Sequence, residues 1–204
     1  MVHISKGNKK LGFIPSVSTP AGLTCRLDCA CAKGCYAKKN TFNFDNVKSA
    51  SLKNYQSYKE NSDNYFNEII AFLNNRNIIY KRFRWSVSGD LIDYKYLLGV
   101  IRVANATKYT KHLVFTKKFD LVNLYLSLGH KLPKNLKIVF SHWDKTFESK
   151  VINDYNLPSA YVNFKDKSKN VKYSRYAHIC PGSCENCSYC WNMREGQQVV
   201  FNEH

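Results

Sequence analysis

Eight cysteines stand in two short runs, and none lies between them. The first run, TCRLDCACAKGCYA, carries Cys25, Cys29, Cys31 and Cys35. The second, CPGSCENCSYCW, carries Cys180, Cys184, Cys187 and Cys190. A secreted disulfide scaffold scatters its cysteines through a small chain with little core. This chain has 204 residues, 44% of them hydrophobic, which is enough for one substantial core. The polar, basic stretch Met1 to Lys10 is followed by no apolar signal segment, so the expected location is the cytoplasm. Tightly grouped thiols in a reducing compartment point to metal ligation rather than disulfides. No run of eighteen apolar residues is present, so no membrane-spanning helix is expected.

Spacing narrows the metal. The C-terminal set reads C-x3-C-x2-C-x2-C, four thiols in eleven residues. Zinc sites usually join two close pairs through a longer connector, which this set lacks. Cys184, Cys187 and Cys190 repeat the C-x2-C-x2-C core of ferredoxin loops, and Pro181-Gly182 suits a tight turn. An iron–sulfur cluster of the 4Fe-4S type is therefore expected on Cys180, Cys184, Cys187 and Cys190, with zinc as the alternative. The N-terminal set reads C-x3-C-x-C-x3-C, which is not a zinc pattern. It either holds a second cluster or shares one site with the tail.

Between the runs, apolar periodicity alternates in kind. Asp45 to Lys59 reads as a surface helix, and Tyr65 to Asn75 as a buried one with Ser62 or Asp63 as N-cap. Leu11 to Val17 is extended, interrupted by Pro15. Phe83 to Asp90 alternates as a strand, Asp93 to Ala106 is helical and His112 to Thr116 is a strand. Phe119 to Leu128 is helical, Leu136 to Ser141 is a strand, and Ser159 to Phe164 reads as the last strand. This order predicts a single α/β domain over residues 1–204, with a parallel sheet. The chain is short for a complete eight-fold barrel, so the expected architecture is an incomplete (βα) barrel with cysteine-rich metal-binding loops near both ends, 25–35 and 180–190.

Functional groups in such folds gather at the carboxyl ends of strands. Three ends qualify: Ser86, Ser88, Gly89 and Asp90; Thr116, Lys117 and Lys118; and Ser141, His142, Trp143 and Asp144. Ser88, Asp90, Lys117 and His142 are the candidate catalytic residues, and Ser88-Gly89-Asp90 is the candidate cofactor-binding segment. No Ser-His-Asp order, Walker loop or paired-carboxylate motif supports hydrolase or kinase chemistry.

The net charge is +16, from 31 Lys and Arg against 15 Asp and Glu, which points to a polyanion such as nucleic acid. Lys165 to Arg175 reads as an exposed basic loop, with Tyr173 and Tyr176 available to stack on bases.

The segments ISKGNKKLGFIPSVSTPAGLTC, CYAKK, FRWSVSGD, VFTKK, LPKNLKIVFSHW and CPGSCENCSYC resemble, in order, the bacteriophage gene product 88 family. The resemblance implies a phage protein working inside an infected bacterial cell. It also implies a C-x5-C-x3-C loop, matched by Cys25, Cys31 and Cys35, with Cys29 additional. More distantly, the early cysteine loop followed by Tyr36 is similar to radical SAM enzymes, which implies S-adenosylmethionine as a cofactor. Their C-x3-C-x2-C spacing and glycine-rich motif are not present here. The expected function is an iron–sulfur phage protein, a redox or radical-SAM-like enzyme acting on or near nucleic acid. The alternative is a zinc-stabilised protein without catalysis that binds nucleic acid or a host protein.

Overall fold

A computed structural model describes residues 1–28 and 31–203. Helices α1 (Asp45–Glu60) and α2 (Ser62–Leu73) precede the sheet. Then come β1 (Arg82–Trp85), α3 (Tyr94–Ala106), β2 (Lys111–Thr116), α4 (Phe119–Ser127), β3 (Leu136–Ser141), α5 (Lys145–Glu148) and β4 (Ser159–Asn163). The chain ends on β5 (His178–Ile179), α6 (Tyr189–Asn192) and β6 (Gln198–Asn202). The six strands form one open sheet in the order β1-β2-β3-β4-β6-β5, and every pairing is parallel. No helix among the described residues is long and apolar enough to cross a membrane.

Ser159 to Phe164 is not the last strand. β6 follows the cysteine tail and inserts between β4 and β5. Its apolar run, Val199-Val200-Phe201, is too short to signal a strand by periodicity. Of Leu11 to Val17, only Ile14 to Val17 is extended. Leu11 to Phe13 turns, with Gly12 at φ +64° donating its N–H to Asn8 O. The extended part lies along the edge of β1, where Arg84 N donates to Pro15 O and Val17 N to Arg84 O. Pro15 is tolerated there because an edge position asks it for no ladder N–H. The N-cap of α2 is Asn61 rather than Ser62 or Asp63. Asn61 ends α1 and starts α2, its side chain accepting from Asn64 N.

Parallel strands are usually buried on both faces. Here Phe83, Trp85, Val114, Ile138 and Phe140 face the helices, packing with Phe66, Ile69, Tyr96, Leu97 and Val100. Their neighbours in sequence face the other way. Leu113, Val139, Ala160 and Val199 are covered by Leu11, Ile14, Trp191 and Met193, so the chain termini form the second layer. The same alternation turns Arg82 and Arg84 toward that layer.

α3 lies close to α2 because Gly99 faces Phe66, and a Cβ at Gly99 would overlap the Phe66 ring. Phe66 is buried and cannot withdraw. Gly99→Ala gains about 1 kcal/mol in helix propensity, against roughly 1–3 kcal/mol of overpacking. The expected outcome is a net loss of up to about 2 kcal/mol in urea denaturation; a stabilised variant would contradict this packing.

Candidate functional site

The strand end after β1 fastens the first cysteine loop. Ser88 Oγ donates to Thr19 O at 2.9 Å, and Asp90 N donates to Thr24 Oγ1 at 3.1 Å. The Thr19 and Thr24 hydroxyls lie 2.9 Å apart, and Thr24 Oγ1 donates to Pro20 O. Gly89 between them has φ +73°, the left-handed region that favours glycine. Ser88-Gly89-Asp90 is thus a latch on Thr19–Thr24, the segment leading into Cys25. Beyond it, Gly22 N–H points at Cys25 Sγ at 3.4 Å. Tyr36 follows Cys35 and donates its hydroxyl to Val87 O. Cys29 lies outside the described residues.

Asp90 also joins the strand ends. Its Oδ1 accepts from Thr116 Oγ1 at 2.6 Å, and its Oδ2 from Lys117 N at 2.9 Å. Burial pushes its pKa up, and these bonds pull it down. Lys117 Nζ reaches Ser141 Oγ at 3.0 Å and lies 5.4 Å from the centre of the Trp143 ring. Ser88, Asp90, Lys117, Ser141 and Trp143 therefore form one connected group at three strand ends. Lys118 turns away and donates to Ile92 O.

His142 is not part of that group. Its Nδ1 pairs with Glu148, its Nε2 lies 3.2 Å from Ser159 Oγ, and its ring stacks on Tyr161. Burial lowers its pKa while Glu148 pulls the other way. The Ser159–His142–Glu148 connection has the pattern of a hydrolytic relay. Ser159 and His142 are both buried, however, and Ser159 Oγ also bonds to Asn153 Nδ2 and Leu157 O. These bonds make the group a tie between β3, α5 and β4.

The second cysteine loop lies on the face opposite α2, α3 and α4, beside the short α6. Cys180 N donates to Val200 O, and Cys184 N to Lys10 O at 2.8 Å. Arg82 Nη1 donates to Cys184 O at 2.8 Å and Cys187 O at 3.4 Å. Cys187 Sγ lies 3.7 Å from His178 Nε2. Cys180, Cys184 and Cys190 pack against the second core layer with Val87 and Phe115. Burial pushes the Cys190 thiol up to about 12 and raises Cys184, while Arg84 pulls both down.

Arg84 stands between the two loops. It is partly buried, its guanidinium is 4.2 Å from the centre of the Phe115 ring, and its Nε donates to Trp85 O at 3.0 Å. Burial lowers its pKa; Tyr36, Cys190 and Cys184 are the groups that raise it. Tyr36 in turn is within electrostatic reach of Arg84, Cys35, Cys31 and Cys25. Arg84 makes no ion pair with a carboxylate among the described residues. One residue pair along, Ser86 is buried at φ +49°, and its hydroxyl has no hydrogen-bond partner among them. Among the described residues, no three His, Cys, Asp or Glu side chains are gathered so that they could hold a metal ion.

The sequence reading took Arg84 only as part of a basic concentration with Lys81 and Arg82, and it missed Ser86's conformation, Glu148 and His178. Arg84 was detectable: a charged residue inside a strand with two buried faces is itself a signal. His178 was not, because its proximity to Cys187 depends on the two-residue β5.

Fold and site define an α/β protein with an all-parallel sheet, whose two cysteine loops flank an arginine on the face opposite α2, α3 and α4. The chain belongs to the Gene product 88 family, whose model matches residues 3–192. No curated protein matches the chain, and no solved structure does.

Proposed function

We propose that this chain is an iron–sulfur phage protein acting in the host cytoplasm. Cys180, Cys184, Cys187 and Cys190 would hold one 4Fe-4S cluster, and Cys25, Cys31 and Cys35 would hold a second. The observation that carries the reading is Arg84, a partly buried cation with no carboxylate partner among the described residues. It lies over the Phe115 ring in the layer that holds Cys180, Cys184 and Cys190, within electrostatic reach of Tyr36. A cluster on thiolates is anionic, and a cation so placed would offset its charge. The orphaned Ser86 hydroxyl adds an unused polar group to the same strand end. The soft thiol donor set suits both iron–sulfur clusters and zinc.

When bound, such a cluster supplies electron transfer, and three thiolates leave one iron without a protein ligand. The chain's own contribution is position. The Ser88-Gly89-Asp90 latch holds the root of the first loop, and Arg82 holds the carbonyls of the second. The one-way order β1-β2-β3-β4, with α2, α3 and α4 on one face, winds like part of a (βα) barrel. In that reading, the cysteine tail occupies the barrel's inner side.

No three ligands stand together among the described residues, so loading would draw the described thiols closer. Amides of 25–35 and 180–190 are then expected to gain protection from hydrogen exchange on loading. The deciding measurement is a visible spectrum with iron, sulfide and zinc analysis on protein purified without oxygen. About four or eight irons with equal sulfide support one cluster or two; zinc without sulfide overturns the reading. With iron present, Arg84→Gln is expected to weaken retention against a chelator by about 10–100-fold, and S-adenosylmethionine cleavage is the activity to assay.

A further inference from the structure

We infer that the cleft between the amino-terminal ends of β1 and β2 and helix α6 binds single-stranded nucleic acid. The cleft has a volume of about 340 Å³ and is lined by Lys81, Arg82, Lys111, Tyr109, Trp191 and Asn192, with Ser188 at its margin. Among the described residues, three cations line it and no carboxylate does. Its electrostatics therefore select an anion, and the +16 net charge draws a polyanion toward it.

The aromatic group sets the rest of the ligand. Tyr109 is 92% exposed, an aromatic ring standing in water among lysines. Successive bases stack on rings of this kind while a basic groove tracks the phosphates. Trp191 is buried and forms the floor, with the Arg82 guanidinium 5.4 Å from its ring centre. Arg82 is already held by the Cys184 and Cys187 carbonyls, and Lys111 Nζ by Asn192 Oδ1. Those bonds fix two of the three charges in place before any ligand arrives. Lys81 makes no ion pair among the described residues and is available to a phosphate.

The site is concave. A duplex is read by a convex helix or ribbon entering its groove, whereas an unstacked base can enter a cleft. The Lys165 to Arg175 loop is less well equipped. Tyr173 there packs on Tyr161, and the Tyr176 ring already carries the Arg175 guanidinium at 4.7 Å.

The test is fluorescence anisotropy of a labelled oligothymidylate of about 15 nucleotides, with a duplex of equal length alongside, between about 50 and 200 mM salt. The purified full chain is expected to bind the single strand more tightly. Tyr109→Ala is expected to weaken binding by about 5- to 100-fold without changing the salt slope. The double change Lys81→Ala with Lys111→Ala is expected to weaken it and lower the slope by about 1.4. Lys167→Ala with Lys169→Ala serves as the control and should change affinity less than about twofold. All these side chains are exposed, so a thermal melt should show each variant folded. The inference is overturned by no binding, by equal or tighter binding of the duplex, or by loss that follows the loop variant and spares the cleft variants.

Discussion

Lowering the pH from 6.5 toward 3 is expected to remove about 5 kcal/mol of folding free energy through one side chain, His112. His112 lies on the helix-facing side of β2 and is fully buried. Trp85 Nε1 donates to its Nδ1 at 3.1 Å, and its Nε2 lies 2.8 Å from Thr107 Oγ1. The Thr107 hydroxyl donates onward to Val103 O, so Nε2 carries the ring's proton and Nδ1 must stay bare. Protonating Nδ1 would set two N–H groups against each other in the core. Burial accordingly pushes the pKa from 6.5 to about 3. The unfolded chain then binds a proton at higher pH than the folded one. The stabilisation is complete above pH 6.5 and falls as the pH drops toward 3, with about 3 kcal/mol gone at pH 4.5. Domains of this kind have about 5–15 kcal/mol in total. His142, lowered by burial, acts in the same sense, and Asp90, raised by burial, acts in the opposite one. Comparison with His112→Asn, which keeps an acceptor for Trp85 but does not titrate, isolates the effect. Urea denaturation should show a steep loss between pH 6.5 and 4.5 in the parent and a shallower one in the variant. Equal slopes would refute the assignment.

The chain middle was legible because its signals are long. The bounds of α3 and β3 read from sequence nearly to the residue. Leu97, Ile101 and Ala104 share one buried helical face, though Leu98, which the periodicity placed with them, is exposed. Leu136, Ile138 and Phe140 share one strand face. The C-terminal end was not legible, since β5 is two residues long and β6 follows a cysteine loop that has no periodicity of its own. Three of the polar strand ends do meet, as their place at the carboxyl ends of β1, β2 and β3 implied. What they do there depends on long-range bonds. Asp90 bonds to Thr116, and Ser88 to Thr19, across separations no local pattern records. His142 stands at a strand end, yet its side chain falls on the face covered by Phe119 and Tyr161. One-residue alternation decides such a difference, and the sequence leaves the phase open where strand turns into loop.

Gly89→Ala is expected to be the most damaging small substitution near the cysteine loops, at about 2–5 kcal/mol. Two costs add. Alanine at φ +73° is strained by about 1–2 kcal/mol. Its Cβ would also overlap the Thr19 and Thr24 hydroxyls and the Thr19 carbonyl oxygen, a clash with backbone that no side-chain rotation relieves; overpacking of this kind costs roughly 1–3 kcal/mol. Gly129→Ala separates the two costs. Gly129 has φ +82° with nothing within 4 Å of the Cβ position, so it carries the backbone strain alone. In a chain of this size the difference corresponds to roughly 5 °C in Tm. The clash falls on the latch, so its relief lies in releasing Thr19–Thr24 and, with them, the root of the first cysteine loop. Hydrogen exchange should therefore quicken over 19–28 and 31–36 in Gly89→Ala and remain unchanged over 180–190. If metal is bound, iron should be lost from the N-terminal set before the tail set. Equal destabilisation by the two alanines, or exchange that quickens across the whole chain alike, would mean that Ser88-Gly89-Asp90 is an ordinary turn and that the first loop is held by something else.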